Sequence, residues 1–478
     1  MGVMSFRDSM FLLAESRERP THVGSLLLFD RPEDAGPDFL GDLHRRLVSS
    51  NEVAPMFARR AYRSVSTLGQ WAWETDDNLD IEYHVRLSAL PRPGRIRELL
   101  ELVSRLHGSL LDRHRPLWEF HLIEGVEGDR FAAYFKIHHA MMDGVTGVRH
   151  MQKTLSTDPE DLDVPPFWQV DPRSKKKAAA SSEVEQRPEP GPIEWVGSTL
   201  AEGYRTVTSA VADTVRTTNS ALGVAPALAG AFYDGLAHRD TALPFEAPHS
   251  MLNVPITGAR RFAAESWPLK RIQRVRERTS STVNDVVLAM CSGALRRYMI
   301  ELDALPEKPL IAALPVSLGT TGVGNQLGAI LVNLATDEAD AGTRLERIKA
   351  SGRAAKSNID QRDPMAVAAL SLAVAAPLPL GVVPGLSTVI NPGFNLIISN
   401  VPGPKAPLYW AGAKLSGIYP VSVPLDGQAL NMTVMTYADN MEFGLTGDRR
   451  SVPRLQKLLT YLEDALVELE EVADAADS

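Results

Sequence analysis

The sequence lacks most features that would tie the chain to a membrane, to nucleic acid or to an oxidising compartment. Its 478 residues include one cysteine, Cys291, so no internal disulfide can form, which fits a cytoplasmic protein. The most apolar window, residues 366–376, ends at Pro377 and is shorter than the roughly 20 residues of a membrane span. The N-terminus shows no secretory pattern. A net charge of −9 gives no basis for capturing nucleic acid.

Two common catalytic patterns are also missing. The chain contains no G-x-S-x-G motif, so no serine nucleophile of the hydrolase type is indicated. No cluster with metal-ligand spacing accompanies the paired histidines. We therefore expect no metal and no permanently bound cofactor.

The length and composition predict a globular protein with two cores. At 478 residues, 44% of them hydrophobic and 23% charged, the chain is too long for one ordinary domain. Patterning predicts a first α/β domain over residues 1–170 and a flexible, proline- and lysine-rich linker over 171–192. A helical connection over 193–250 and a second α/β domain over 251–478 follow.

The first domain is expected to place a hairpin just before the most informative motif. Two strands, Trp118–Ile123 and Phe131–His138, are separated by a turn-rich segment. Helices are predicted at residues 38–49 and 96–111, and a strand at 25–29. In the second block, strands are predicted at residues 310–316, 327–335, 394–399, 415–419, 430–437 and 441–446, and an acidic helix at 452–472.

The motif reads H-H-x-x-x-D-G, from His138 and His139 to Asp143 and Gly144. Histidine can take and return a proton near neutral pH, so a histidine held at a strand-to-helix turn suits a general base. An aspartate at that position is typical of a helix N-cap. A lone histidine at a turn is usually structural, but three further residues at these offsets favour the catalytic interpretation.

The motif resembles the active-site signature of the CoA-dependent acyltransferase superfamily. That resemblance implies that His139 is the base and that His138 supports the turn. It implies a mainly structural Asp143, often paired with an arginine that the sequence does not identify. Gly144 would allow a tight turn where a side chain would crowd the substrate channel.

Accessory segments narrow the resemblance further. These are Pro116-Leu117-Trp118, Asn284-Asp285 and Ser399-Asn400, the last at the start of a proline- and glycine-rich turn. Together with the motif they resemble the bacterial wax ester synthase/acyl-CoA:diacylglycerol acyltransferase family, over nearly the whole chain. Family members commonly carry methionine where Thr21 stands.

Each accessory segment has a structural interpretation beside the one that the resemblance implies. Pro116, Leu117 and Trp118 suit a strand start with a packed tryptophan, whereas the family suggests a part in shaping the acyl site. Asn284 suits a helix N-cap, as do Ser281 and Thr282. The resemblance instead places Asn284 and Asp285 near the catalytic cleft.

The resemblance implies an α/β fold with two chloramphenicol-acetyltransferase-like domains. Each would be a mixed β-sheet with flanking helices, and the active-site channel would lie at their interface. The implied reaction moves a fatty acyl group from the co-substrate acyl-CoA to the hydroxyl of diacylglycerol or a long-chain alcohol, without an acyl-enzyme. A cytoplasmic location, peripheral at the inner membrane or at lipid inclusions, would suit such substrates.

Two other functions remain open at this point. One is a condensation-type acyltransferase that uses a thioester bound to a carrier protein. The other is a lipid-binding protein without turnover. The residues leave undecided the preferred acceptor, the acyl-chain length and the oligomeric state.

Overall fold

A computed structural model describes residues 2–49, 52–63, 67, 69–171, 246–317, 327–360 and 393–475. The predicted linker from residue 172 onward, most of the helical connection, and the apolar window at 366–376 lie outside these ranges. Within them, no helix is both long enough and apolar enough to cross a membrane.

The described chain contains two six-stranded mixed sheets with flanking helices, as the implied fold requires. The first has the strand order β12-β13-β2-β7-β6-β5 and the second the order β10-β9-β11-β14-β15-β8. A small third sheet has the order β1-β4-β3. The strands are β1 Gly2–Val3, β2 His22–Asp30, β3 Arg59–Arg63, β4 Trp71–Thr75, β5 Val85–Ala89, β6 Trp118–Val126, β7 Arg130–His138, β8 Arg260–Pro268, β9 Ile311–Ser317, β10 Leu327–Asn333, β11 Leu396–Val401, β12 Tyr409–Trp410, β13 Ala413–Val421, β14 Leu430–Tyr437 and β15 Asn440–Asp448.

Helices cover one or both faces of these sheets. They are α1 Phe6–Ala14, α2 Phe39–Ser49, α3 Ile81–His84, α4 Ile96–Gly108, α5 Gly144–Met151, α6 Leu269–Arg278, α7 Val283–Glu301, α8 Ala341–Asp360 and α9 Lys457–Ala475. Helix α7 is buried along most of its length and packs against α9. A helix that is apolar on nearly every side belongs in a core.

The hairpin predicted before the motif is present, and the second sheet contains another. Strands β6 and β7 pair antiparallel, and the turn between them has left-handed residues at Gly128 and Asp129. Gly125, near the end of β6, is left-handed as well. Strands β14 and β15 also pair antiparallel, with Tyr437 opposite Asn440. In β7, Phe131, Ala133, Phe135 and Ile137 alternate with residues of the other face, as strand geometry requires.

Two strands of the second block, β12 and β13, lie in the first sheet. Strand β13 pairs antiparallel with β2, from Lys414 opposite Asp30 to Val421 opposite Gly24. The range 251–478 therefore contributes strands to both sheets. This crossing joins the two halves of the molecule next to the motif, because β2 lies between β13 and β7.

Candidate active site

The H-H-x-x-x-D-G motif begins at the last residue of β7 and ends at the first residue of α5. The Asp143 side chain caps this helix: its Oδ1 accepts a hydrogen bond from the Thr146 amide at 2.8 Å. The cap satisfies one of the unpaired amides at the helix start. The turn between strand and helix is thus fixed at both ends.

His139 lies at the turn, with its ring facing a cavity. Its backbone amide donates to the Thr21 carbonyl at 3.0 Å, which ties the turn to the start of β2. The imidazole stacks on Phe11 of helix α1, with ring centroids 4.1 Å apart and an interplanar angle of 20°. Backbone and ring are therefore both held, as a general base needs.

His138 is fully buried and its hydrogen bonds select one tautomer. The Ala140 amide donates to His138 Nδ1 at 3.0 Å, so Nδ1 is the acceptor. The Thr21 hydroxyl donates to the Phe11 carbonyl at 3.1 Å and lies 2.9 Å from His138 Nε2. Nε2 therefore carries the hydrogen and donates to Thr21. A ring with both nitrogens engaged supports the turn and is not available to a substrate.

An ion pair between buried Glu15 and half-buried Arg113 lies behind His138. The Glu15 carboxylate is 1% exposed and accepts from Arg113 at 2.8 and 3.0 Å. Its other oxygen lies 3.5 Å from His138 Nε2 and accepts from the Thr21 amide at 3.3 Å. Burial raises the pKa of Glu15, but contact with His138 and Arg113 outweighs it, so the pKa falls below its ordinary value. An ionised Glu15 thus connects Arg113 to the histidine pair.

The roles of Asp143 and Gly144 differ in part from those implied by the resemblance. Among the described residues, no ion pair joins Asp143 to an arginine; its visible role is the helix cap. The tight-turn explanation for Gly144 is wrong. Its φ is not left-handed, and a Cβ there would meet no atom within 4 Å. Gly144 lines the cavity, where the missing side chain leaves open space.

A cavity of about 400 Å³ extends from His139 between the two halves of the molecule. Its walls come from β2, β7 and α5 of the first half and from β9, β11 and β14 of the second. Most of the lining is apolar and aromatic. A pocket of this kind with a few convergent polar groups is the usual form of a small-molecule site.

The polar lining of the second half comes from β11, β14 and the residue that follows β13. The hydroxyls of Ser422 and Thr433 lie 2.6 Å apart, and Thr433 donates to the Asn431 side chain at 3.0 Å. Ser399 stands opposite Thr433 in the parallel pair of β11 and β14 and also lines the cavity. Asn400 does not line it, because the next residue of a strand points to the other face.

Pro116, Leu117 and Trp118 lie behind the cavity wall. The Leu117 carbonyl accepts from the His138 amide at 2.9 Å, and Trp118 Nε1 donates to the Phe57 carbonyl at 2.8 Å. Trp118 stacks on Trp168, which does line the cavity, at 5.4 Å. This segment therefore does not line the cavity, and it shapes the site only by supporting residues that do.

The placement of Asn284 and Asp285 near the cleft needs correction. Neither side chain lines the cavity. Thr282 is the N-cap of α7, and Asp285 completes a capping box by accepting from the Thr282 amide at 2.9 Å. The structure thus gives Asp285 a helix-capping role.

No group of histidine, cysteine, aspartate or glutamate side chains in the described part of the chain has the arrangement of a metal site. Cys291 is buried in α7, and burial raises the pKa of its thiol to about 12. It is therefore no candidate for a nucleophile at neutral pH.

Comparison with protein families decides between the branches of the superfamily. Residues 4–287 match the wax ester synthase/diacylglycerol acyltransferase catalytic domain, and residues 323–470 match the C-terminal domain of the same family. The chain belongs to this family. It is therefore an acyltransferase.

Named relatives of this family match over nearly the full length. A probable diacylglycerol O-acyltransferase of Mycobacterium tuberculosis is 46% identical, over 98% of this chain and 99% of the relative. The O-acyltransferase WSD of Acinetobacter baylyi is 40% identical, over 96% of this chain and 95% of the relative.

Solved structures agree on the fold. The wax ester synthase/diacylglycerol acyltransferase from Marinobacter aquaeolei VT8 has a TM-score of 0.77 and 41% identity, over 99% of this chain and all of that one. The first condensation domain of the calcium-dependent antibiotic synthetase has a TM-score of 0.55 at 16% identity, covering 99% of this chain and 96% of that one. The second likeness concerns the fold alone.

Several site residues were not identified from the sequence. Glu15, Arg113 and Phe11 support the histidine pair, and Ser422, Asn431 and Thr433 line the cavity. Only Thr21 lay in a segment already singled out, and its hydroxyl accepts a hydrogen bond from His138 for which a methionine thioether, a weak acceptor, is a poor substitute. The others carry no local signal, because each acquires its role through contacts with residues far away in the chain.

Proposed function

We propose that the protein transfers a fatty acyl group from acyl-CoA to the hydroxyl of diacylglycerol or a long-chain alcohol, with His139 as general base. The observation that carries the proposal is His139 at the edge of a largely apolar cavity, with its imidazole stacked on Phe11 and its backbone amide bonded to the Thr21 carbonyl. A held base and an apolar enclosure are what esterification of a lipid alcohol requires.

In the proposed mechanism the imidazole of His139 lies next to both substrates. His139 takes the proton of the acceptor hydroxyl as its oxygen attacks the thioester carbonyl, and a C–O bond forms in a tetrahedral oxyanion. The C–S bond then breaks, and His139 returns the proton to the departing CoA thiolate. The products are an ester and free CoA. No covalent acyl-enzyme is formed, and no permanently bound cofactor takes part.

The hydroxyl of Ser399 is a candidate partner for the developing oxyanion. It lines the cavity and, among the described residues, makes no hydrogen bond with another protein group. Ser422, Thr433 and Asn431 already bond to one another, so they present a fixed polar surface. Donors placed where charge develops in the transition state lower its free energy.

The preferred test supplies the purified protein with labelled acyl-CoA and a mixture of diacylglycerol and long-chain alcohol. Labelled triacylglycerol, wax ester or both, with release of an equal amount of CoA, is the expected result. Activity with a carrier-bound thioester but not with acyl-CoA would instead identify a condensation-type enzyme. Lipid binding without CoA release across the acceptors would identify a protein without turnover.

We place this reaction in the cytoplasm, at the surface of the inner membrane or of lipid inclusions, where both substrates meet. The apolar character of the cavity supports this location, because an acceptor of such low solubility has to be taken from a lipid phase. Flotation of the protein with lipid vesicles, compared with vesicle-free samples, tests it.

A further inference from the structure

The histidine pair is held by residues 15–21, which connect helix α1 to strand β2 and which we call the holding loop. The middle of this loop is compact, because two backbone hydrogen bonds of 3.0 and 3.2 Å close it. At one end, the Glu15 carboxylate lies 3.5 Å from His138 Nε2. At the other end, the Thr21 carbonyl accepts from the His139 amide at 3.0 Å. A shift of the loop would therefore move both histidines.

Arg260, the first residue of β8, bonds to the backbone of the holding loop. Its guanidinium donates to the Glu18 carbonyl at 2.9 Å and also to the Thr257 carbonyl. The Arg260 side chain is 1% exposed, and burial lowers its pKa to about 10, so it keeps its charge at neutral pH. One guanidinium thus joins the second sheet to the loop that holds the histidines of the first.

Asp448, the last residue of β15, anchors Arg260 in the second sheet. It stands opposite Arg260 in the pairing of β8 with β15, and its buried carboxylate lies 3.8 Å from the guanidinium. The same carboxylate accepts from the Thr257 and Ser451 amides, each at 2.9 Å. Burial raises the pKa of Asp448, but these and further hydrogen bonds outweigh it, so the pKa lies below its ordinary value. An ionised partner therefore holds the guanidinium in place.

Backbone packing at Gly258 reinforces the contact with the holding loop. A Cβ on Gly258 would lie 2.5 Å from the Arg17 carbonyl oxygen, so the two backbones touch next to the Arg260 bond. Gly108, at the end of helix α4, packs against the same segment, and a Cβ there would lie 3.1 Å from the Gly258 carbonyl oxygen. The segment before β8 is thus enclosed between the holding loop and α4.

The cavity connects this contact to catalysis, because its walls come from different halves of the chain. His139 stands on the wall of the first half, whereas Ser422 and Thr433 belong to the second. The distance between the base and the opposite wall therefore depends on how the two halves are joined. A misplacement of about 1 Å at a reacting group can lower a rate about 10²-fold.

We propose that Arg260 is a positioning residue for acyl transfer, which sets the place of His139 relative to the cavity wall of the second half. Arg260 does not line the cavity, so it acts through the holding loop and not on a substrate. The inference rests on the proposed function, because it takes His139 as the base.

Two substitutions disturb this contact in different ways. Arg260→Lys keeps the positive charge beside Asp448, but it replaces a planar fork of donors with a single ammonium group that does not match both carbonyls. Gly258→Ala changes no polar group, and it pushes a methyl group against the Arg17 carbonyl. A common effect of the two variants would point to the contact itself.

Each substitution has a matched control. Arg261→Lys changes the next residue of β8, whose side chain is 30% exposed and lies 3.7 Å from Glu101. Gly36→Ala adds a methyl group where no atom of the described residues lies within 4 Å. Both controls should keep the parental rate.

The experiment measures the single-turnover rate of ester formation and the affinity for acyl-CoA, at a temperature at which circular dichroism shows each variant to be folded. Arg260→Lys and Gly258→Ala should each lower the rate about 10- to 100-fold and leave the affinity within about threefold. Both substitutions are then repeated in a His139→Ala background. There each should lower the remaining rate less than about threefold, because the group that they displace is gone.

Parental rates in both folded variants would overturn the inference. Equal losses in the parent and in the His139→Ala background would also overturn it, because Arg260 would then act independently of the base. If Arg260→Lys does not fold, Gly258→Ala alone decides. A parental rate in His139→Ala itself, or no ester from any acyl-CoA with the parental protein, would instead refute the proposed function.

Discussion

Replacement of Glu15 by glutamine tests whether the ion pair of Glu15 and Arg113 positions the histidines. The substitution keeps the shape of the side chain but removes the charge that Arg113, at 2.8 and 3.0 Å, and His138, at 3.5 Å, contact. Hydrogen bonds to charged groups contribute about 1.5–3 kcal/mol each when shielded from water. Arg113 is 36% exposed, so we expect a total loss of about 1–3 kcal/mol in the free energy of unfolding.

We expect the substitution of Glu15 to affect catalysis through the backbone of Thr21. The Glu15 carboxylate accepts from the Thr21 amide, and the Thr21 carbonyl accepts from the His139 amide. Weakening these hydrogen bonds should displace His139, and a misplacement of about 1 Å can lower the reaction rate about 10²-fold. We therefore expect kcat to fall by about 10- to 100-fold with little change in KM for acyl-CoA.

The same variant has a predicted pH dependence. The pKa of Glu15 is lowered in the folded state from its ordinary 4.5. Its stabilising contribution is therefore present above pH 4.5 and is lost as pH falls through the folded-state pKa. Urea unfolding at pH 7 and at progressively lower pH should show the parent and Glu15→Gln converging. Exposed Glu33→Gln is the control; equal stability of Glu15→Gln and parent at pH 7, with unchanged kcat, would refute the reasoning.

Two further predictions concern buried polar groups. Thr21→Val keeps the shape of the side chain but removes the hydroxyl that lies 2.9 Å from His138 Nε2. Urea unfolding should show a loss of about 1–3 kcal/mol in the free energy of unfolding, which Thr21→Ser should largely avoid. Equal effects of both variants would contradict the assigned bond. Burial raises the pKa of Glu442 to about 8, so between pH 4.5 and 8 the folded protein keeps a proton that the unfolded chain releases, and stability falls as pH rises. Glu442→Gln cannot ionise; its Tm should match the parent near pH 4.5 and exceed it at pH 8, and a constant difference across this range would contradict the shift.

Much of the first half could be predicted because its signals are local. Strand β7 alternates residues between its two faces, and the hairpin before it has turn residues where the chain reverses. The motif places a base and a helix cap within a few residues of each other. Strand alternation, turn residues and helix caps can each be recognised from residues that are close together in the sequence.

The rest of the fold and of the site depends on contacts between residues that are far apart in the sequence, which no local pattern reveals. The pairing of β13 with β2 joins residues almost 400 positions apart, and a strand's own alternation does not name its partner. Glu15 reads as an ordinary acidic residue after a helix until Arg113 and His138 are placed beside it. The capping role of Asp285 was visible in the sequence as T-x-x-D, but the resemblance led to the cleft instead.

The most direct test of the central claim is the single-turnover rate of His139→Ala with bound acyl-CoA and a long-chain alcohol. If His139 is the general base, the rate of ester formation should fall by about 10²- to 10⁴-fold. Affinity for acyl-CoA should stay within a few fold, because the cavity is otherwise intact. Ester formation near the parental rate in the variant would contradict the account.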